Sequence, residues 1–503
     1  MSVATTRNES VAGKEPSAGK EPSAGKEPSA GKELTTGRSP TTERDSGTGT
    51  GDPVGTFEPR IVAFVCKWCT YAGADLAGTS RMTYPANVRP IMLPCTGRID
   101  FSFVLRAFLQ GADGVVVSGC HPGDCHYTAG NYRARRRWTL LRDLLDVIGF
   151  ELDRLELAWV SAAEGAKWVK IITEFTDKIR SKGPYRMLHE VASDHEPAIA
   201  SPAGGAVKTA ANGSNGNGSS GSQTPVCPEL LSAVGDAFKA EKIKSLVGWT
   251  RSATLGRPRP TWITDIEEVA SLILPGDGGG NLARMMKNGK LRALTPMGIV
   301  ARSAEVMALN VLVQECQLAA DQVVLFLVDA SGKFLGMMDL AKATELLMEG
   351  PIKALSPDRP PGFSEDTFAA LDELMSRLPG ERWAFWKEQF SRCLKCYACR
   401  GSCPMCNCET CFADKNQPQW FPTAADGPGT LSWNVIRAFH LAGRCIGCGA
   451  CAAACPADIP LNLLSAAMAR SALNNFDYRA GLASDVPPLQ SDFRTSDRQD
   501  YIL

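Results

Sequence analysis

The sequence predicts an α/β protein: first a unit built on a parallel sheet, then a mixed α/β unit. Two observations carry this. Short apolar runs alternate with helical patterns from residue 59 to 183. Cysteines then follow those runs one after another, as they would at the ends of parallel strands.

Composition narrows the class. The 503 residues carry 54 Lys+Arg against 54 Asp+Glu, so the whole chain has no electrostatic bias toward nucleic acid or an anionic membrane. No stretch is long and apolar enough for a membrane span; the longest candidate, VVLFLVDASGKFLGMM, is interrupted by Asp329 and Lys333. The polar N-terminus lacks an apolar leader core, which leads to a cytoplasmic expectation. The 18 cysteines cluster at metal-ligand spacings in a chain too long for a small disulfide scaffold, so they read as thiolate ligands.

Residues 1–58 are low complexity, with AGKEPS three times in tandem at 12–29. They hold too few large apolar residues to offset ordering entropy, so a disordered tail is expected. Residues 59–183 form the first unit. IVAFV (61–65), VRPIML (88–93), GVVVS (114–118) and LAWVS (157–161) read as buried strands. Helical patterns occupy 99–110, 131–149 and 165–181. That alternation implies parallel strands with right-handed crossovers. Residues 184–225 include GGAVKTAANGSNGNGSSGSQTP and are expected to be a flexible linker joining two proteins in one chain. Residues 226–390 are mixed α/β, with strand, helix and strand around LRALTPMGIVARSAEVMALNVLVQECQL and QVVLFLVDASG. GDGGG (276–280) lacks a dinucleotide fingerprint and reads as a loop. Residues 391–480 carry two cysteine runs, and 481–503 look like a loosely ordered tail.

In the first unit, Cys66 and Cys69 follow the first strand, Cys95 the second, and Cys120 and Cys125 the third. Ligands of open α/β sheets collect beyond the carboxyl ends of strands, so the five thiols should converge on one edge. Four suffice for an iron–sulfur cluster; buried apolar cysteines and a structural zinc are the alternatives. His121 and His126 each follow a cysteine. With enough thiols present, they read as loop packing or as hydrogen-bonding groups near the cluster rather than ligands. Arg133, Arg135, Arg136 and Arg137 open a helix, either as a solvated face or as a docking patch for an acidic partner.

GCHPGDCHYTAGNYRARRR (119–137), CKWCTYAGADLAG (66–78) and LPCTGRID (93–100) closely resemble the hydrogenase iron–sulfur (delta) subunit family, over residues 60 to about 180. The resemblance implies a [2Fe–2S] cluster and electron transfer to the flavoprotein subunit of heterodisulfide reductase complexes. Many members carry an extra cysteine where this chain has Val65. Five candidates remain for four places.

Cys393, Cys396, Cys399 and Cys403 have the spacing C-x2-C-x2-C-x3-C, followed by Pro404; Cys445, Cys448, Cys451 and Cys455 repeat it before Pro456. This is the bacterial two-cluster ferredoxin run, in which the fourth cysteine of each run serves the other cluster. One [4Fe–4S] cluster is therefore expected on Cys393, Cys396, Cys399 and Cys455. The other falls on Cys445, Cys448, Cys451 and Cys403. The insert between the runs holds QPQW (417–420) and a helical pattern at 431–442, expected to pack over the clusters or against a neighbour.

Cys406, Cys408 and Cys411 remain in CPMCNCETCFADKNQPQW. That string resembles the beta-subunit family of deazaflavin-coenzyme hydrogenases and formate dehydrogenases. Where that family reads Gly-Cys-Asp, this chain has Ser303, Ala304 and Glu305. The three thiols either join a third metal centre, with Cys316 or Cys227 as a further ligand, or hold zinc, or stay unligated. The function expected is an electron-transfer subunit between a hydrogenase- or formate-dehydrogenase-type donor and a heterodisulfide-reductase-like flavoprotein, with bifurcation in the partner. The alternative is a flavin-containing oxidoreductase with its own site in 226–390.

Overall fold

A computed structural model describes residues 57–193, 223–224, 226–254, 256–275, 280–287, 294–352, 359–415, 417, 419 and 422–503. The expected tail up to residue 56, most of the expected linker, and residues 276–279 of GDGGG lie outside the described residues.

The first sheet contains β1 (Ile61–Cys66), β2 (Val88–Leu93), β3 (Gly114–Gly119) and β4 (Leu155–Trp159), all parallel, in the order β2-β1-β3-β4. Alternate residues of β1 face opposite ways. Ile61, Ala63 and Val65 pack with Trp168, Ile172 and Phe175 of helix Gly165–Lys182. Phe64 packs on the other side with helices Phe101–Leu109 and Gly130–Val147. Because β2 and β3 lie on opposite sides of β1, the chain reverses direction at the carboxyl ends of β1 and β3, where such sheets form a ligand crevice.

Four sequence expectations change. VRPIML is a strand, but Arg89 to Met92 are exposed, because β2 is an edge strand, paired among the described residues with β1 alone. The last strand starts two residues earlier than LAWVS; Glu156 inside it broke the apolar run. A helix at Thr70–Thr79 was not anticipated, since TYAGADLAGT is small and weakly periodic. Those small residues let it pack closely: a Cβ on Gly73 would stand 2.7 Å from the Ser161 carbonyl oxygen. Residues 186–193, expected as linker, form a helix with Leu188 and Val191 buried.

The second sheet comprises β5 (Gln223–Thr224), β6 (Ser245–Arg251), β7 (Pro258–Ile263), β8 (Leu272–Pro275), β9 (Met297–Ala301), β10 (Val323–Val328) and β11 (Phe334–Met338). Its order is β11-β10-β9-β6-β8-β5, with β7 also paired to β6. β9 is parallel to β6 and β10, and the other pairs are antiparallel. The expected strand, helix and strand are β9, helix Ser303–Gln314 and β10.

The first sheet and the cysteine-rich C-terminal region share one core. Trp138 and Leu144 pack in the same cluster as Trp386, Phe439 and Met468. Trp386 Nε1 donates to the Val147 carbonyl at 3.1 Å, and Arg382 to Asp146 at 2.7 Å. Gly149 (φ +83°) fits this joint because a Cβ there would lie 2.0 Å from the Pro379 carbonyl oxygen.

Residues 481–503 have no helix or strand, yet they are not loose. Arg136 donates to Asp497 at 3.0 and 3.2 Å and to the Leu489 carbonyl at 3.2 Å. Arg135 donates to Gln499 and to the Arg494 carbonyl. Leu503 bonds to Leu157 and Trp159 on either side of residue 158, the parallel pattern, and so pairs beside β4. Arg135 and Arg136 are therefore neither a solvated face nor a patch left for another protein: this chain's own C-terminal segment covers both.

Candidate metal centres

Three parallel strands end at one edge, and their sulfurs meet there. Cys66 closes β1, Cys69 caps helix Thr70–Thr79, Cys95 follows β2, and Cys120 and Cys125 follow β3. All five are buried in mutual contact. The sulfurs of Cys66, Cys69 and Cys120 lie within 4.8 Å of one another, and Cys95 and Cys125 are 3.8 Å apart. The latter spacing is the edge of a tetrahedron with metal–sulfur bonds of about 2.3 Å. Burial first, then like charge from Cys66, pushes the Cys69 thiol up to about 11. The Cys66 thiol is raised first by its hydrogen bond with Cys120. Thiols crowded in this way ionise when a cation is bound, releasing protons as the ion enters. The donor set fits a thiolate-held cluster or ion.

Both histidines that follow cysteines have side-chain partners. His121 Nε2 lies 2.7 Å from Glu164, whose carboxyl is drawn down to about 2, first by the Ser161 amide and then by His121. His126 stacks on Trp68 with ring centroids 3.8 Å apart. Sequence reading missed two residues here. Asn131, fully buried, donates to the Cys120 and His121 carbonyls at 3.1 and 2.6 Å and so fixes the loop. Gly130 leaves room for sulfur. The segment GNYRARRR contains both, but arginines dominate its pattern.

The second region is built from two copies of one backbone form. In the first run Lys395 (φ +49°) and Tyr397 (φ +59°) flank Cys396; in the second, Gly447 (φ +73°) and Gly449 (φ +69°) flank Cys448. Left-handed residues on both sides of the middle cysteine curl each loop around one centre. Tyr397 is held by an edge-on contact with Trp433 at 4.7 Å, and Lys395 Nζ by the Pro422 carbonyl at 2.6 Å.

The fourth cysteines cross over. Cys393 and Cys399 pack in a cluster that Cys455 and Cys451 join, and the charges of Cys455 and Cys396 act on Cys393. Cys403 instead packs with Cys445 and Cys448, and its charge acts on Cys445, Cys448 and Cys451. Burial, ahead of the neighbouring sulfurs, raises the Cys448 and Cys451 thiols.

The expected helix in the insert runs from Gly427 to His440 and lies against both runs. Trp433 is a side-chain hydrogen-bond partner of Cys399, Asn434 of Cys393, and Arg437 of Cys451. Residues 418 and 420 of QPQW lie outside the described residues.

Cys406, Cys408 and Cys411 have different surroundings. Cys406 is hydrogen-bonded with Cys403, which lowers the Cys403 pKa against burial. Cys408 is exposed, and its charge acts on Arg444. Cys411 caps the turn Phe412–Asp414 beside Cys393's cluster. The Glu315 carboxylate accepts from Arg444 and from Asn407, which ties the residue before exposed Cys316 to this loop, while Cys227 packs at the second sheet. At the Ser303–Ala304–Glu305 position, buried Glu305 accepts from the amides of Arg302 and Leu282 and serves the backbone.

A parallel sheet bearing a thiol edge, packed on a doubled cysteine-run module, defines an iron–sulfur protein of the ferredoxin-bearing kind. Residues 61–183 match the family of the methyl-viologen-reducing hydrogenase delta subunit, and residues 441–460 match the 4Fe-4S binding domain. The chain belongs to that delta-subunit family. The iron-sulfur subunit of the F420-non-reducing hydrogenase vhc of Methanococcus voltae is 53% identical over 128 residues, 25% of this chain and 89% of the relative. The iron-sulfur subunit of the F420-non-reducing hydrogenase of Archaeoglobus profundus is 48% identical over 130 residues, 26% of this chain and 95% of the relative. One subunit of the ferredoxin:CoB-CoM heterodisulfide reductase of Methanosarcina mazei is 47% identical over 126 residues, 25% of this chain but 16% of that protein. No described helix is long and apolar enough to cross a membrane.

Proposed function

We propose that the chain is an electron-relay subunit of a larger redox complex. Cys393, Cys396, Cys399 and Cys455 hold one [4Fe–4S] cluster; Cys445, Cys448, Cys451 and Cys403 hold the other. Four of Cys66, Cys69, Cys95, Cys120 and Cys125 hold a [2Fe–2S] cluster. When bound, such clusters supply one-electron carriers whose potentials the protein adjusts. The chain's own part is to fix the sulfurs, bury them and donate hydrogen bonds to them. Cys406 and Cys411 flank the two ferredoxin sites rather than share a third.

The packing of Cys455 with Cys393 and Cys399, and of Cys403 with Cys445 and Cys448, carries this reading, because it joins the doubled C-x2-C-x2-C-x3-C-P spacing of two-cluster ferredoxins. The relatives are named as subunits of a hydrogenase and of a heterodisulfide reductase, which supports oxidoreductase subunits as partners; the partners proposed are a hydrogenase-type donor and a heterodisulfide-reductase-like flavoprotein. Flavin-based bifurcation would belong to that flavoprotein. Anaerobic purification with iron counting and EPR tests the reading. About ten irons per chain are expected. About fourteen would require a third cubane. A colourless zinc protein would overturn it.

A further inference from the structure

Arg437 lies deep in the cysteine-rich region, with 5% of its surface exposed. A buried guanidinium cannot shed its charge, so it needs anions around it. Its Nη2 donates to the Cys399 carbonyl at 3.2 Å, and its side chain bonds to Cys451. Its Nε is buried without a hydrogen-bond partner among the described residues. The charges that act on it are those of sulfurs, Cys451, Cys403, Cys406 and Cys399. Cys399 comes from the first cysteine run and Cys451 from the second. The arginine therefore stands between the two sulfur sets.

It does not stand alone. Trp433 and Asn434 sit on the same helix and turn their donors to Cys399 and Cys393. Residues 433 and 437 are one turn apart and share a face. One helix, inserted between the two runs, thus supplies donors to both sets of sulfurs.

We infer that helix Gly427–His440 sets the reduction potentials of the two clusters, with Arg437 as a fixed positive charge shared by both. This rests on the two-cluster reading above. Reduction adds one negative charge to a cluster, and a nearby buried cation stabilises the added charge, so the potential rises. Trp433 and Asn434 act in the same direction, on the Cys393–Cys399 side only. Arg437 is a positioning residue, and its signature is a potential rather than a rate.

The test is an EPR-monitored redox titration of the full chain, with iron counted on the same samples. Arg437→Met keeps the length and removes the charge. Both midpoint potentials should fall by at least tenfold in the reduced-to-oxidised ratio, which is 59 mV for a one-electron couple. Arg437→Lys should recover most of that shift. Trp433→Phe keeps the packing and should lower the potential of one cluster only. Full iron with both potentials unchanged in Arg437→Met would overturn the inference. If Arg437→Met loses iron, the Trp433→Phe titration decides, and no shift there overturns it. Fewer than two cubanes in the unsubstituted protein would instead defeat the two-cluster reading.

Discussion

Gly130 lies against Cys95: a Cβ at position 130 would stand 2.2 Å from the Cys95 sulfur and 3.2 Å from that of Cys125. The start of helix Gly130–Val147 thus forms one wall of the thiol site. Gly130→Ala should displace both sulfurs and prevent the N-terminal cluster from assembling. Loss of its visible circular dichroism, with cubane EPR intact, is the expected outcome. A wild-type spectrum would show that this wall is not needed.

Cys455→Ser and Cys448→Ser should each remove one cubane, but not the same one. In Cys455→Ser the lost signal should match that lost in Cys396→Ser, although these residues belong to different runs. Iron should fall by about four per chain in each, with the N-terminal cluster retained. If Cys455→Ser instead mimicked Cys448→Ser, each run would hold its own cluster.

The C-terminal segment should matter for stability. Arg136 and Asp497 form a buried pair, and removing Asp497 leaves Arg136 only the part-exposed Asp492 at 3.4 Å. Asp497→Ala should destabilise the protein by about 3 kcal/mol. Unfolding by guanidinium, followed by tryptophan fluorescence, would measure it. A change under about 0.5 kcal/mol, the range of ordinary surface substitutions, would mean the segment is dispensable.

Acid sensitivity has an identifiable source. Asp100 caps helix Phe101–Leu109 and bonds to His440 at 3.3 Å, joining the first sheet to the inserted helix. Burial raises its carboxyl pKa, but His440 and Ser102 more than reverse this and hold it well below the ordinary value. A folded pKa below the unfolded one, near 3.9, stabilises the protein fully above that pH. The stabilisation is lost as pH falls from there through the folded value. Asp100→Asn should therefore lower stability at neutral pH and flatten the acid limb below about pH 4. Parallel curves for both proteins would contradict this.

Much of the site was legible because it depends on spacing. The doubled run and the cysteines after β1, β2 and β3 follow from local sequence. What escaped depends on distant contacts. Arg135 and Arg136 look like a solvated face until residues 489–499 cover them. The Gly/Ser/Asn stretch suggests two independent proteins, whereas Trp386 and Val147 belong to one joint. Cys406, Cys408 and Cys411 are close in sequence, but the backbone sends Cys406 and Cys411 to different neighbours. The left-handed Lys395 and Tyr397 look ordinary until they are set beside Gly447 and Gly449.

The pairing of Arg136 with Asp497 also has a timetable. The two are 361 positions apart. At about 5–20 residues per second, the ribosome reaches Asp497 tens of seconds after it has made Arg136. Until then the nascent first sheet has no cover for two arginines and an open edge at β4. The late arrival of residues 489–503 would close both.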